Sequence, residues 1–239
     1  MRPELRKLLA LPTPRWTAAA LLAAVLIATV VVAIFGAGNE ALAEGLGVSM
    51  PAWIAAIVIG VWLPGLEYGQ KTMRRTLTRN PNRLEVVFDK LGVVLLAALA
   101  ISIVPALIAA PLFSVASAAH DSTISAADML RVAAGGVANN LVYATAAFSF
   151  GLATRSMAGG MTIALAFFFV IDSLLTAIPK VGDFMLTSVS GEIYEAIVGK
   201  ELAGTDLEVH VVRAVVVTVA WLAVFLGLSS LRFLRTDID

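Results

Sequence analysis

The sequence predicts an all-α, polytopic membrane protein, and three observations carry that prediction. Hydrophobic residues make up 59% of the chain and charged ones only 14%. Mean hydropathy is +0.91, and a chain of this composition does not stay monomeric in water. Its apolar residues gather into six runs, each suited to a membrane helix of about 20 residues. Of 17 Lys and Arg residues, 13 fall on one side of the resulting topology and 4 on the other. That bias places both termini in the cytoplasm. The expected architecture is one domain, residues 1–239, with six transmembrane helices.

The first run, about 17–35, follows a segment holding Arg2, Arg6, Lys7 and Arg15. It is longer than the apolar region of a secretory signal peptide, so it reads as a retained first span. Gly36–Met50 contains Glu40 and Glu44 but no Lys or Arg, as expected of an outer loop. Pro51 suits the first turn of the second span, about 51–66. Pro64 is expected to loosen that span near its inner end. The third span, about 84–118, contains Pro105 and Pro111, which predict a kink or break in its outer half. Ala119–Asp128 is a short polar outer loop. The fourth span, about 129–152, carries Gly135-Gly136 and Asn139-Asn140, and Arg155 with Gly159-Gly160 marks an inner turn. The fifth span, about 161–178, includes Asp172 and closes at Pro179. In the long outer segment Lys180–Glu208, Ser190 is placed to cap a short helix ending at Gly199, with Ile193, Ala196 and Ile197 on one face. The sixth span, about 210–233, ends in Arg232 and Arg235.

Between the second and third spans lies EYGQKTMRRTLTRNPNRLEVVFDK, Glu67 to Lys90. Lys71, Arg74, Arg75, Arg79, Arg83 and Lys90 outnumber Glu67, Glu85 and Asp89. Before Pro81 the segment is polar around most of a helix circumference, with Met73 and Leu77 as its one i,i+4 apolar pair. Such a helix gains little from its own core and is expected to be covered by another protein. A loop that only fixes topology through its positive charge is the alternative. Pro81 ends this helix. Asn82, with Glu85 three residues on, is the predicted N-cap of the next one.

Asp172 is the one acidic residue well inside an apolar run. A carboxylate near the bilayer centre costs about 2.5–3.5 kcal/mol on insertion scales, so it should face protein or water. Asn139 and Asn140 are the expected partners, either on a substrate path or in a polar contact between the fourth and fifth spans. Gly135, Gly136, Gly159 and Gly160 are expected to permit close helix packing rather than to hold phosphate. The chain has no cysteine and two distant histidines, His120 and His210, so no metal site is expected. It contains no GxxxxGK[ST], HExxH or GxSxG motif. No catalytic residue and no bound cofactor are therefore expected. The net charge of zero gives no reason to expect nucleic acid.

The basic segment resembles that of the permease subunits of ABC-2 type transporters, especially the small six-helix ones of actinobacteria. Glu67, Thr72, Thr76-Leu77, Pro81-Asn82-Arg83 and Lys90 stand where that family has an acidic residue, a Thr, a Thr-Leu, a Pro-x-Arg and a Lys. Lys71 departs from it, because the family usually has Gly before the Thr. Glu4, Lys7 and Leu8, then Thr13 and Arg15, are similar in outline to the family's interfacial segment, and the long last outer loop fits as well.

The resemblance implies a multi-pass plasma-membrane permease, exporting a hydrophobic or amphipathic substrate. ATP and Mg2+ would be bound by a separate ABC ATPase, expected in two copies, alongside a second permease copy or homologue. The segment between the second and third spans would be a cytosolic coupling helix, docking through Glu67, Thr72, Met73, Arg75, Thr76, Leu77 and Arg79, with Arg83 and Lys90 at the entry to the third span. The other functional class in view is a non-transporting immunity or regulatory subunit that docks a cytosolic protein through residues 67–90.

Overall fold

The computed structural model describes residues 12–35, 50–70, 72–79, 82–119, 125–199 and 210–235. They form helices, with no strand among the described residues. In order these are α1 (Pro12–Phe35), α2 (Met50–Gly69), α3 (Met73–Arg79), α4 (Arg83–Ala119) and α5 (Ala126–Thr154). Then come α6 (Met157–Ala166), a π-helical segment (Phe167–Asp172), α7 (Ser173–Thr176), a 3-10 turn (Gly182–Phe184), α8 (Leu186–Val198) and α9 (Val211–Arg235). Residues 1–11, 36–49, 120–124 and 200–209, which hold most of the predicted amino-terminal segment, most of the loops Gly36–Met50 and Ala119–Asp128 and the end of Lys180–Glu208, lie outside the described residues.

Among the described residues, four stretches are long and apolar enough to cross a membrane: Ala52–Gly69, Arg83–Val115, Met157–Thr176 and Val211–Arg235. The helix α5 is not among them, although it is 29 residues long. It holds Asn139, Asn140, Thr145 and Ser149, and all four are buried. They can lie there because α5 is the hub of the bundle, packed against α2, α4, α6, α8 and α9. A helix surrounded by protein need not be apolar all round, whereas one surrounded by lipid must. The contrast is α9, where only 11% of the span window is buried and Val212, Val216, Val219 and Leu228 face outward.

Small residues bring the hub and its neighbours together. A Cβ on Gly60 of α2 would lie 2.4 Å from the Ala144 carbonyl oxygen of α5, and one on Gly151 would meet Val61 O at 2.8 Å. These backbones approach more closely than any side chain permits. Gly160 packs on Gly151 and Val61, and Gly135 packs under Tyr194 and Val198 of α8. Three of the four predicted glycines are buried against neighbours or within the bundle, whereas Gly159 makes ordinary contacts only.

Neither α2 nor α4 breaks at its prolines. The helix α2 runs through Pro64 to Gly69, and α4 is one 37-residue helix through both Pro105 and Pro111. The unexpected irregularity is in the stretch Met157–Thr176, at Phe167–Asp172. Gly160, Ala164, Phe168 and Asp172 are all buried, a strict repeat of four that outruns the 3.6-residue α turn. One wider π turn brings the repeat back onto the protein-facing side. Ser173 Oγ donates to the Phe168 carbonyl beside it at 3.1 Å.

Candidate functional site

At the basic end, α2 leads into α3 through a turn whose backbone closes on Glu67. Thr72 N donates to Glu67 O at 3.0 Å, and Thr76 N donates to Thr72 O at 3.1 Å. The Thr72 hydroxyl lies 3.4 Å from the same Glu67 carbonyl. The side chain of Glu67 is buried, and Lys90 of α4 is buried with it at 1% exposure. Lys90 Nζ sits 2.6 Å from Glu67 Oε2, and the Thr76 hydroxyl of α3 donates to that oxygen at 3.5 Å. Three consecutive elements therefore meet at one carboxylate. Removing one partner of a buried pair commonly costs about 3–5 kcal/mol, because the other charge stays buried without compensation.

The helix α3 presents one side to this pair. Thr72, Met73, Thr76 and Leu77 share one side of the helix. Met73 is 1% exposed within the core and Leu77 packs partly against it. Arg75 and Thr78 are exposed on the opposite side. Met73, expected on the docking side, is instead buried in the chain's own bundle, whereas Leu77 is half-buried beside it and Arg75 and Thr78 remain outward. Glu67 likewise moves from a docking surface to the interior. The side chains of Arg74 and Arg79, and the whole of Lys71, lie outside the described residues.

Asn82 caps α4 as predicted, its Oδ1 accepting from Glu85 N at 3.4 Å. Arg83 then reaches the last helix. Its Nη1 donates to Phe233 O at 3.1 Å and Leu234 O at 3.0 Å, a cation on the orphan carbonyls of a helix C-terminus. Arg155, in the left-handed C-cap position of α5 with φ 55°, donates to Arg232 O at 3.5 Å. Its guanidinium also stands 5.9 Å from the Tyr68 ring centroid. The basic residues of this end thus divide into internal ties (Arg83, Lys90, Arg155) and an outward face containing Arg75.

At the far end the polar residues pair differently from expectation. Asp172 is fully buried, yet its partners are neither Asn139 nor Asn140. Its Oδ1 accepts from Leu186 N at 3.0 Å and its Oδ2 from Thr187 N at 3.1 Å. The carboxylate therefore caps the N-terminus of α8, where backbone donors are free and the helix dipole favours negative charge. Asn140 Nδ2 instead donates to Ser102 Oγ of α4 at 2.9 Å, and Asn139 is buried on α5.

The helix α8 begins beside Tyr143 of α5 and Trp221 of α9. The Tyr143 hydroxyl lies 3.4 Å from Thr187 Oγ1, and Trp221 Nε1 donates to Phe184 O at 2.8 Å. Trp221 is ten residues down α9 from Val211, roughly 15 Å at 1.5 Å per residue. The backbone that starts α8 beside it finds two acceptor oxygens in Asp172. Higher up, Arg213 pairs with Glu192, whose Oε2 also accepts from His210 N at 3.3 Å.

Ser190 does not cap α8: the helix starts at Leu186, and the Ser190 hydroxyl bonds back to Thr187 O at 3.0 Å. Ile193 faces the core, whereas Ala196 and Ile197 are exposed. Two ties escaped sequence reasoning. The Asp172 cap had no spacing signal, since its partners are backbone groups 14 and 15 residues away. The capping box of α5, Ser125 with Asp128, was legible as S-x-x-D ahead of an apolar run. Neither a protein-family model nor a curated protein sequence matches this chain.

Proposed function

We propose that the chain is the membrane permease subunit of an ABC transporter, with six spans and both termini in the cytoplasm of a plasma-membrane protein. It exports a hydrophobic or amphipathic substrate with ATP and Mg2+ handled by a separate ATPase, two copies of which serve a permease pair. The observation that carries this reading is α3. It is a seven-residue helix with Arg75 and Thr78 turned outward, and its inner side is fastened to the ends of α2 and α4 by Met73 and the Glu67–Lys90 contact. A surface helix rooted in two spans can pass a push from a bound protein into the membrane part. A charge that only sets topology needs no such rooting.

On this reading the docking surface is the Arg75–Thr78 side, where a basic rim steers an acidic partner and sets its salt dependence. The test is purification of the chain from its native membrane in mild detergent. The preparation should contain an ATPase subunit and show vanadate-sensitive ATP hydrolysis, and Arg75→Glu should lower ATPase recovery several-fold. A preparation that holds a cytosolic partner without ATPase activity would replace this reading with a non-transporting regulatory subunit.

A further inference from the structure

The contact beneath α3 has a composition that packing alone does not require. A buried ion pair is commonly no more stable than apolar residues of the same volume, and is often less so. Met73 already anchors the depth of α3 in the core, but apolar contact is non-directional and leaves rotation free. A carboxylate that pairs with an ammonium and also accepts from a hydroxyl ties particular groups of three elements together. Here the carboxylate belongs to α2, the hydroxyl to α3 and the ammonium to α4. The pair lies in the second turn of α4 and just before the end of α2, so it clasps the two spans on either side of the docking helix.

We propose that Glu67 and Lys90, with Thr76, are positioning residues that set the orientation of α3 and make α2 and α4 follow it when a partner displaces it. This rests on the docking role of α3 proposed above. It assigns Glu67 and Lys90 to transmission within the chain rather than to contact with the partner.

Because the chain contains no cysteine, pairs of spin labels can be introduced without background. Arg75→Cys with Arg131→Cys, both at exposed positions, reports the placement of α3 against α5 for the full chain alone in lipid nanodiscs. The distance distribution should be narrow with the native pair. Lys90→Met, and the milder Glu67→Gln, should widen it by about twofold or more as α3 samples further orientations. The exchange Glu67→Lys with Lys90→Glu should narrow it again. An unchanged width in both single variants overturns the proposal, as does an exchange that stays as broad as they are, since packing rather than pairing would then hold α3. Should Lys90→Met fail to insert, Glu67→Gln and the exchange decide.

A second arm uses the chain with its captured ATPase and a label pair at Phe88→Cys and Arg131→Cys. Adding a non-hydrolysable ATP analogue with Mg2+ should shift this distance in the native complex and leave it unshifted in Lys90→Met, although the ATPase stays bound. An equal shift in Lys90→Met overturns the transmission role. If no ATPase is captured, the permease reading fails, while the measurement on the chain alone still decides whether the pair positions α3.

Discussion

Glu67 and Asp172 are both buried carboxylates near the end of an apolar helix, one at each end of the bundle, and the chain neutralises them by different chemistry. Glu67 faces a side-chain cation, Lys90 at 2.6 Å. Asp172 faces two backbone N–H groups at the start of α8. An ion pair rests on two side chains that can be exchanged or jointly replaced. A backbone cap rests on one side chain, because the donors opposite cannot be mutated away. The basic end is therefore open to adjustment by pairs of substitutions, whereas the far end depends on a single residue.

One way to break the contrast is at the far end. Asp172→Leu leaves the buried N–H of Leu186 and the part-buried N–H of Thr187 without their acceptor, and at about 1–3 kcal/mol for a buried unsatisfied group the loss is on the order of 2 kcal/mol. Yield and thermal midpoint in detergent should both fall. Asp172→Asn retains one acceptor oxygen and should cost about 1 kcal/mol. A Leu variant as stable as the native chain would show that α8 does not depend on this cap.

The second prediction sharpens the contrast. Lys90→Met alone removes the ammonium beside the buried Glu67 carboxylate and should cost about 3–5 kcal/mol, whereas Glu67→Leu with Lys90→Met should return to within about 1 kcal/mol of the native chain. No partner substitution should rescue Asp172→Leu in this way. Denaturation of the three variants in one detergent measures the coupling directly. A double variant as unstable as Lys90→Met would mean that the charge pair itself supplies the stability. A stable double variant with a broadened α3 distance distribution would separate holding the fold from aiming the helix.

The smallest effect concerns the exposed capping box of α5. The Ser125 hydroxyl and backbone N–H both donate to Asp128 Oδ2, at 2.7 and 3.0 Å. The side-chain bond first, and then the backbone bond, hold this carboxyl below its ordinary 3.8. A depressed folded-state value means that the cap stabilises the chain above the unfolded value and is lost as pH falls through the folded one. The thermal midpoint of the native chain should therefore drop slightly more below pH 3.8 than that of Ser125→Ala. Parallel slopes for the two proteins would remove the cap from the acid response.

How much could be read in advance depends on where each partner lies in sequence. Asn82 with Glu85 forms a contact three residues apart, and Ser125 with Asp128 another, so composition and spacing suffice for both. The Arg83 contact with the last turn of α9 spans 150 residues, and no periodicity points to it. The inward turn of Met73 and Leu77 is of the same kind. Their i,i+4 spacing defines a stripe, but which body covers the stripe depends on where Glu67 and Lys90 bring α3.

The sequence by itself determined that the chain is helical and apolar enough for membrane spans, because hydrophobic run length and helix period are local properties. It also located the basic helix between two apolar runs and its boundary at Asn82. Tertiary structure alone decided that α5 is the hub, since burial by protein is what allows Asn139, Asn140, Thr145 and Ser149 to lie inside the bundle. It likewise decided that Glu67 meets Lys90 and that Asp172 meets α8. Polar groups shut away from water take whichever donor or acceptor the packing brings within reach, and that choice is made across elements rather than along the chain.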